Sequence, residues 1–433
     1  MDIKFKTIDD ALNLIKDNDY IVTGLAASEP RLLLQNLHKI ANRINKVTIA
    51  NCLFGVETEF MNNPIYEEKF HMDSWFHSSM IRRAVNQKNI HYVPNHLHVC
   101  AKKKIFHASP TVYAGVCSMP DKHGYVSLGF SNTYEMRIIE QARTIILEAN
   151  PNIPRVHGDH FLHVNQVDCL VRADYVPPGV PYLEPTEKDI KIGNFIAQYI
   201  NDGDCIQLGI GGIPNAVVKA LLNKKHLGVH TEMITPGIYK LVEAGAVDGS
   251  KKQVHKGQIV ATMIYGDEAL YKFVDDNPAV LILDGATVNE PTNIAKNDNQ
   301  KSINTTIEID LTGQCASESI GAKIYSGTGG QADTAIGAQK SKNGISFIAL
   351  YSTAFVRNEN GEKEEISKIV PVLNPGAGVT LSRNDVDMVV TEYGIVSLRG
   401  TNIKERVERL ISIAHPKFRK QLYDDAVKYN LIR

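Results

Sequence analysis

The chain has 433 residues, 43% of them hydrophobic and 22% charged, with a formal net charge of −1. That length suits two or three globular domains. The even charge argues against nucleic-acid or membrane-surface binding, which show as excess Lys and Arg, and the lysine run at 102–104 reads as a solvated face.

In chain order, the N-terminal stretch is amphipathic and acidic with no signal-like apolar core. No apolar run approaches the roughly 20 residues of a membrane-spanning helix, so a cytoplasmic protein is expected. Cysteines 52, 100, 117, 169, 205 and 315 are scattered without a CxxC pair. That fits reduced core thiols and points to neither a disulfide framework nor a metal site.

"IDDALNLIKDND" (8–19) has apolar residues at helical spacing and precedes a strand expected at 20–25. Far downstream, "DIKIGNFIAQYINDGD" (189–204) does the same before a strand expected at 205–210. Between them "YVPPGVPYLEPTEKD" (175–189) carries four prolines and reads as a linker. The two openings match further. Asp17, Asp19, Ile21 and Gly24 lie over Asp202, Asp204, Ile206 and Gly209, and Pro30 matches Pro214 after a one-residue gap. A spacing near 185 residues is too long for a solenoid. It predicts two copies of an α/β domain with a largely parallel sheet, at residues 1–180 and 181–433.

"CIQLGIGGIPNAVVKALL" (205–222) predicts strand, glycine turn and helix, with Pro214 in the first turn. The next strand is expected in "HLGVHTEM" (226–233), which ends on Glu232. In such a βαβ unit the Gly209–Ile213 turn and Glu232 leave at the carboxyl edge of the sheet, where ligands bind. Glycines admit close approach, and a helix N-terminus offers N–H groups to an anion. A nicotinamide-dinucleotide reading also fits this segment locally, but its third glycine is replaced by Pro214. A second glycine turn, "SGTGGQAD" (326–333), follows the strand-like "KSINTTIEIDLTGQ". Two glycine turns and one acid suggest a hole of backbone donors facing an electrophilic carbonyl.

These segments, in order, resemble the type I coenzyme A transferases of the acetyl-CoA hydrolase/transferase group, including 4-hydroxybutyrate and butyrate:acetate CoA-transferases. The likeness runs along nearly the whole chain. It is carried by "HGDHFL" with "HVNQVD" (157–168), "QLGIGGIPNAV" (207–217), "HLGVHTEM", "SINTTIEIDLTGQCASESIG" (302–321), "SGTGGQAD", and "SRNDVDMVVTEYGIVSLRG" with "IAHPKF" (382–418). The resemblance implies two similar open α/β domains facing across a cleft. It also implies CoA transfer from a short-chain acyl-CoA to a small carboxylate, with no resident cofactor. Glu232 matches the family's catalytic glutamate, which forms a glutamyl–acyl anhydride and then a glutamyl–CoA thioester. A carboxylate suits this chemistry, because an anhydride keeps most of the thioester's transfer potential. At the ordinary pKa of about 4.3 such a group is ionised without a partner base.

By position, Asn289 and the Gly330 amide resemble the groups that polarise the thioester carbonyl. Gly209, Ile210, Gly211, Gly212 and Ile213, with Ser326 and Gly329, resemble CoA-contacting positions. Gln207, Gln331 and Glu29 are expected to line the acyl pocket, although a helix N-terminal acid also accounts for Glu29. In the first copy Asn51 and Cys52 fall about where Glu232 would. Glu318, Glu392, His230 and His415 read as structural. Thr334 departs from relatives that carry an aromatic there, which leaves the substrate acid open. An acyl-CoA hydrolase using the same Glu232 is the nearest alternative, and a dimer or larger homo-oligomer is expected from the likeness.

Overall fold

The computed structural model describes residues 4–433 other than 86, 181 and 358–359. They form two compact units. The first contains Met1–Pro181, Glu232–Pro236 and Ile259–Asn289, and the second contains Tyr182–Thr231, Gly237–Gln258 and Glu290–Arg433. The linear partition at 180/181 differs from this by two segments of the second half, one of them beginning with Glu232. Those segments pack with the first unit because Leu281 and Ile282 pair with His157 and Gly158, and Met263 bridges to Ser131; Met233–Ile234 is carried along by its own pairing with Met263–Ile264.

The first unit is built on a seven-stranded sheet. Its order is Cys169–Arg172, Thr144–Ala149, Val112–Cys117, Tyr20–Thr23, Val47–Cys52, Phe70–Phe76 and Ile90–Tyr92. Every pair in it is parallel. Successive residues supply opposite faces, as the two-residue period of a strand requires. Ile21, Ile49 and Val112 join one apolar cluster with Leu33 and Leu34 of the helix Arg31–Asn36, whereas Val22, Ala50 and Tyr113 join another.

The second unit has six strands in the order Gly228–Val229, Cys205–Leu208, Gln300–Thr305, Ile345–Ala349, Met388–Thr391 and Gly394–Ser397. All pairs are parallel except the last. Its entry helix, Glu187–Ala197, starts at Thr186, whose hydroxyl accepts from the Asp189 amide while the Asp189 carboxylate accepts from the Thr186 amide.

The duplication extends to hydrogen bonds. Asp17 accepts from the Lys46 amide, and Asp202 accepts from the Lys225 amide. Asn18 and Gly203 both have positive φ, 62° and 82°, and donate to the carbonyls of Lys46 and Lys225. Tyr20 pairs with Thr48, and Cys205 with Gly228. Four residues beyond Thr48 and Gly228 stand Cys52 and Glu232, so Cys52 is the counterpart of Glu232 by count along the chain.

Two expectations need correction. "HLGVHTEM" is not one strand: regular pairing covers Gly228–Val229, Glu232 lies in a bend, and Met233–Ile234 pairs elsewhere. The lysine run is not wholly solvated, because Lys104 is buried with its ammonium 2.6 Å from Asp73. All six cysteines are buried. Among the described residues no helix is long and apolar enough to cross a membrane, and no group of three His, Cys, Asp or Glu side chains is placed to hold a metal ion.

Candidate active site

Glu232 is partly exposed, and its backbone is firmly held. Its carbonyl accepts from two successive amides, Thr262 and Met263, at 3.1 Å each. Asn289 Nδ2 donates to Glu232 Oε2 at 2.8 Å. A carboxylate can only accept, so the Asn289 amide must present its NH2 to it. Asn289 is 1% exposed and follows the short helix Gly285–Val288. That helix sits so close to Thr133 that a Cβ on Gly285 would come within 2.3 Å of the Thr133 carbonyl oxygen. A carboxylate nucleophile candidate and a buried amide donor are thus brought together from positions 57 residues apart.

In the first unit burial disfavours the charged forms of Cys52 and Glu29. Burial pushes the Cys52 thiol well up, and the nearby thiol of Cys100 and carboxylate of Glu232 push it further. This counterpart of Glu232 is therefore no thiolate nucleophile. Burial likewise raises the Glu29 carboxyl well above the usual range, against the pull of the Gly55 amide and Arg31. Both Glu29 oxygens accept from Gly55 N, at 3.1 and 3.0 Å. Glu29 therefore binds the loop after the strand Val47–Cys52, with 1% of its surface exposed. It is not the helix N-terminal acid either. That role falls to Glu148, which accepts from Leu33 N at 2.8 Å and from the Tyr175 hydroxyl at 2.7 Å.

In the second unit the turn Gly209–Ile213 takes the backbone shape its sequence requires. Gly211 has φ 114° and ψ −176°, a region essentially reserved for glycine. A Cβ there would meet nothing within 4 Å, whereas one on Gly212 would come within 2.5 Å of the Asp189 carboxylate. The helix Gly212–Leu221 follows, with Pro214 third, where no intrahelical N–H bond is lost. Ile210, Gly211, Gly212, Ile213 and Pro214 line a cavity of about 260 Å³ with Thr305, Thr306, Ala349, Leu350 and Tyr351.

The other predicted residues divide. Gly330 caps the helix Gln331–Lys340, and Gly329 has φ 53°. Ser326 donates its hydroxyl to the Ser317 carbonyl at 3.0 Å. Gln331 Nε2 donates to Thr305 O at 2.7 Å, which links the second glycine turn to the wall of the first turn's cavity. Gln207 Oε1 accepts from Ser302 Oγ and Ile303 N, both at 3.1 Å, so its amide oxygen is committed to strand neighbours. Thr334 is buried, and its hydroxyl accepts from Asn304 Nδ2 at 2.9 Å. Glu318 accepts from the hydroxyls of Thr328 and Thr380, and Glu392 accepts from the Ser352 amide and hydroxyl. His415 caps a helix through Nδ1.

Thr305, Thr306 and Tyr351 escape the sequence reading. Each stands at or just past the carboxyl end of a parallel strand, and applying the sheet-edge rule to every strand would have found them.

Comparison with known proteins now bears on this geometry. The acetyl-CoA hydrolase/transferase N-terminal domain model matches residues 2–181, and the C-terminal domain model matches residues 266–426. The chain belongs to the acetyl-CoA hydrolase/transferase family. It is 40% identical to the succinyl-CoA:cyclohexane-1-carboxylate CoA transferase of Geobacter metallireducens, over 98% of this chain and 95% of that one. It is also 40% identical to the 4-hydroxybutyrate coenzyme A transferase of Clostridium kluyveri, over 98% and 97%. The crystal structure of RipA from Yersinia pestis superposes with a TM-score of 0.88 at 33% identity, covering 99% of this chain and 98% of that one. The protein is accordingly an enzyme of the CoA-transferase type with a mixed α/β, mostly parallel fold. The dinucleotide reading of the glycine turn gives way to that membership.

Proposed function

We propose that the protein transfers CoA from a short-chain acyl-CoA such as acetyl-CoA or butyryl-CoA to a small carboxylate, through covalent intermediates on Glu232. The observation that carries this reading is the hydrogen bond from buried Asn289 to the Glu232 carboxylate. It fixes the carboxylate beside a neutral donor, and the same donor can serve the oxygen that gains charge as the thioester carbonyl is attacked.

The steps balance without an outside base. A Glu232 oxygen attacks the thioester carbonyl, the C–S bond breaks, and CoA thiolate leaves a glutamyl–acyl anhydride. The thiolate then attacks the glutamyl carbonyl, forming the glutamyl–CoA thioester and releasing the first carboxylate. An incoming carboxylate attacks that thioester, expelling CoA thiolate and giving a new anhydride. The thiolate takes the new acyl group and frees Glu232. The turn Gly209–Ile213, with Thr305, Thr306 and Tyr351, is assigned to CoA. Its glycine-only backbone and open approach at Gly211 support that role. Gly330 is assigned to the thioester oxygen, and Ser326 and Gly329 to CoA. A cytoplasmic homo-oligomer belongs to the same reading.

The test is intact-mass spectrometry of the full chain mixed with acetyl-CoA alone. A CoA adduct that borohydride removes is expected on the wild type and absent from Glu232→Gln. An adduct on that variant would overturn the assignment. CoA release measured with and without butyrate separates transfer from hydrolysis in the same samples.

A further inference from the structure

We propose that Lys252 and Gln300 are positioning residues that fix the direction in which Glu232 leaves its strand. The inference rests on Glu232 being the nucleophile. Val229 lies in the edge strand of the six-stranded sheet, so no further strand is there to take its outward carbonyl. Lys252 takes it instead, with Nζ 2.9 Å from Val229 O. The next carbonyl, of His230, accepts from Gln300 Nε2 at 3.1 Å. Thr231 Oγ1 then reaches Leu208 O at 3.5 Å. Each residue between the end of strand pairing and Glu232 is thus tied by a side chain.

Lys252 also holds the segment that meets Glu232 from the other side. Its ammonium lies 2.7 Å from Gln258 O, just before the strand Ile259–Ala261. Beyond that strand Thr262 and Met263 donate both amides to the Glu232 carbonyl. One cation therefore clamps position 229, three residues before the acid, to position 258, four residues before its backbone donors. The structure makes room for it. A Cβ on Gly228 would come within 2.5 Å of Lys252 Cγ, so the glycine admits the lysine stem. Lys252 is 5% exposed and Gln300 is fully buried, so neither is placed to serve as a solvated surface charge or to solubilise the fold.

An attacking oxygen must arrive within a few tenths of an ångström of its target line, and a shift near 1 Å costs on the order of 100-fold in rate. Removing the clamp should slow formation of the CoA adduct on each folded site while acyl-CoA binding, made by other residues, is kept. A looser carboxylate should also let water compete for the intermediates. Loss of stability alone would lower the number of competent sites and change neither the rate per site nor the partition.

The experiment follows the time course of the CoA adduct by intact mass on full-length wild type, Lys252→Met, Gln300→Met and Glu232→Gln, with acetyl-CoA and then butyrate. Lys252→Met should reach the wild-type adduct stoichiometry about 100-fold more slowly, and Gln300→Met about 10-fold more slowly. Both should keep KM for acetyl-CoA within about threefold and lose a larger share of adduct to water. Folded Lys252→Met reacting at the wild-type rate with unchanged partition overturns the proposal. So does reduced stoichiometry with surviving sites of normal rate. If Lys252→Met does not accumulate as folded protein, Gln300→Met decides, and wild-type kinetics there overturn it. An adduct on Glu232→Gln removes the nucleophile reading and this one together. A clean absence there, beside wild-type kinetics in the clamp variants, removes the clamp alone.

Discussion

Asn289 offers the sharpest perturbation of the reacting carboxylate. Its Nδ2 lies 2.8 Å from Glu232 Oε2, and the side chain is 1% exposed. Alanine there removes a donor to a charged acceptor, worth about 1.5–3 kcal/mol, or roughly 10- to 150-fold in kcat/KM if the loss is expressed in the transition state. Aspartate is nearly isosteric but acts differently, because it sets a second carboxylate against the first. At an effective dielectric of about 20, unit charges at that 2.8 Å separation repel by about 6 kcal/mol. Glu232 is partly exposed, and solvent screening reduces this to about 3 kcal/mol. Two carboxyls repelling by that much hold one proton between them in mild acid. Asn289→Asp should therefore match or exceed Asn289→Ala near pH 6, where the shared proton lets residue 289 donate. It should fall about 10-fold below that variant toward about pH 9, where an ionised carboxylate opposes the charge gained in the attack, whereas the alanine variant stays flat. The assay is steady-state transfer from acetyl-CoA to butyrate across that range, with competent sites counted by their CoA adduct. Equal activity of the two variants near pH 9, or superimposable pH profiles, would refute the claim that this amide faces the reacting carboxylate.

Three further outcomes are expected. Burial raises the Glu148 carboxyl to about 7 from an ordinary 4.5. The folded state then holds this proton more tightly than the unfolded chain, so the stabilisation is full below about pH 4.5 and about 3 kcal/mol of it is lost as pH rises through 7. Denaturant midpoints against pH should show that decline in the wild type and a flatter profile in Glu148→Gln. Gly211→Ala places a side chain at φ 114°. It should lose roughly 1–3 kcal/mol of stability by thermal melting and raise KM for acetyl-CoA about 10-fold or more. An unchanged KM would remove this turn from the CoA site. Glu29→Gln should keep stability near pH 8 within about 1 kcal/mol of wild type or exceed it, since burial already favours the uncharged carboxyl. A loss of several kcal/mol by urea titration would mean that the ionised form is what holds Gly55.

Much of the architecture was legible because its signals are local. The Asp-x-Asp turns, the helical spacing that follows the linker and the glycine turn at 209–213 each constrain a few adjacent residues. Gly211 shows why: its backbone region excludes every residue with a Cβ, so the requirement is written into the sequence at that position. Glu232 stood out because a carboxylate beside an apolar strand is costly to desolvate, and its expected role as nucleophile came from the family resemblance.

Tertiary structure alone decided how those pieces are joined. Nothing near Glu232 in the sequence announces that its strand breaks after Val229, because the break is set by pairing of Met233 and Ile234 with residues 30 positions away. Nothing near Glu29 indicates that Glu148, 115 residues from Leu33, caps the helix in its place. The partnership of Lys252 with Val229 and Gln258 likewise follows from an edge strand meeting a loop. Backbone conformation is fixed by steric limits acting within a residue or two, whereas hydrogen-bond partners depend on which chain segments packing brings within about 3 Å.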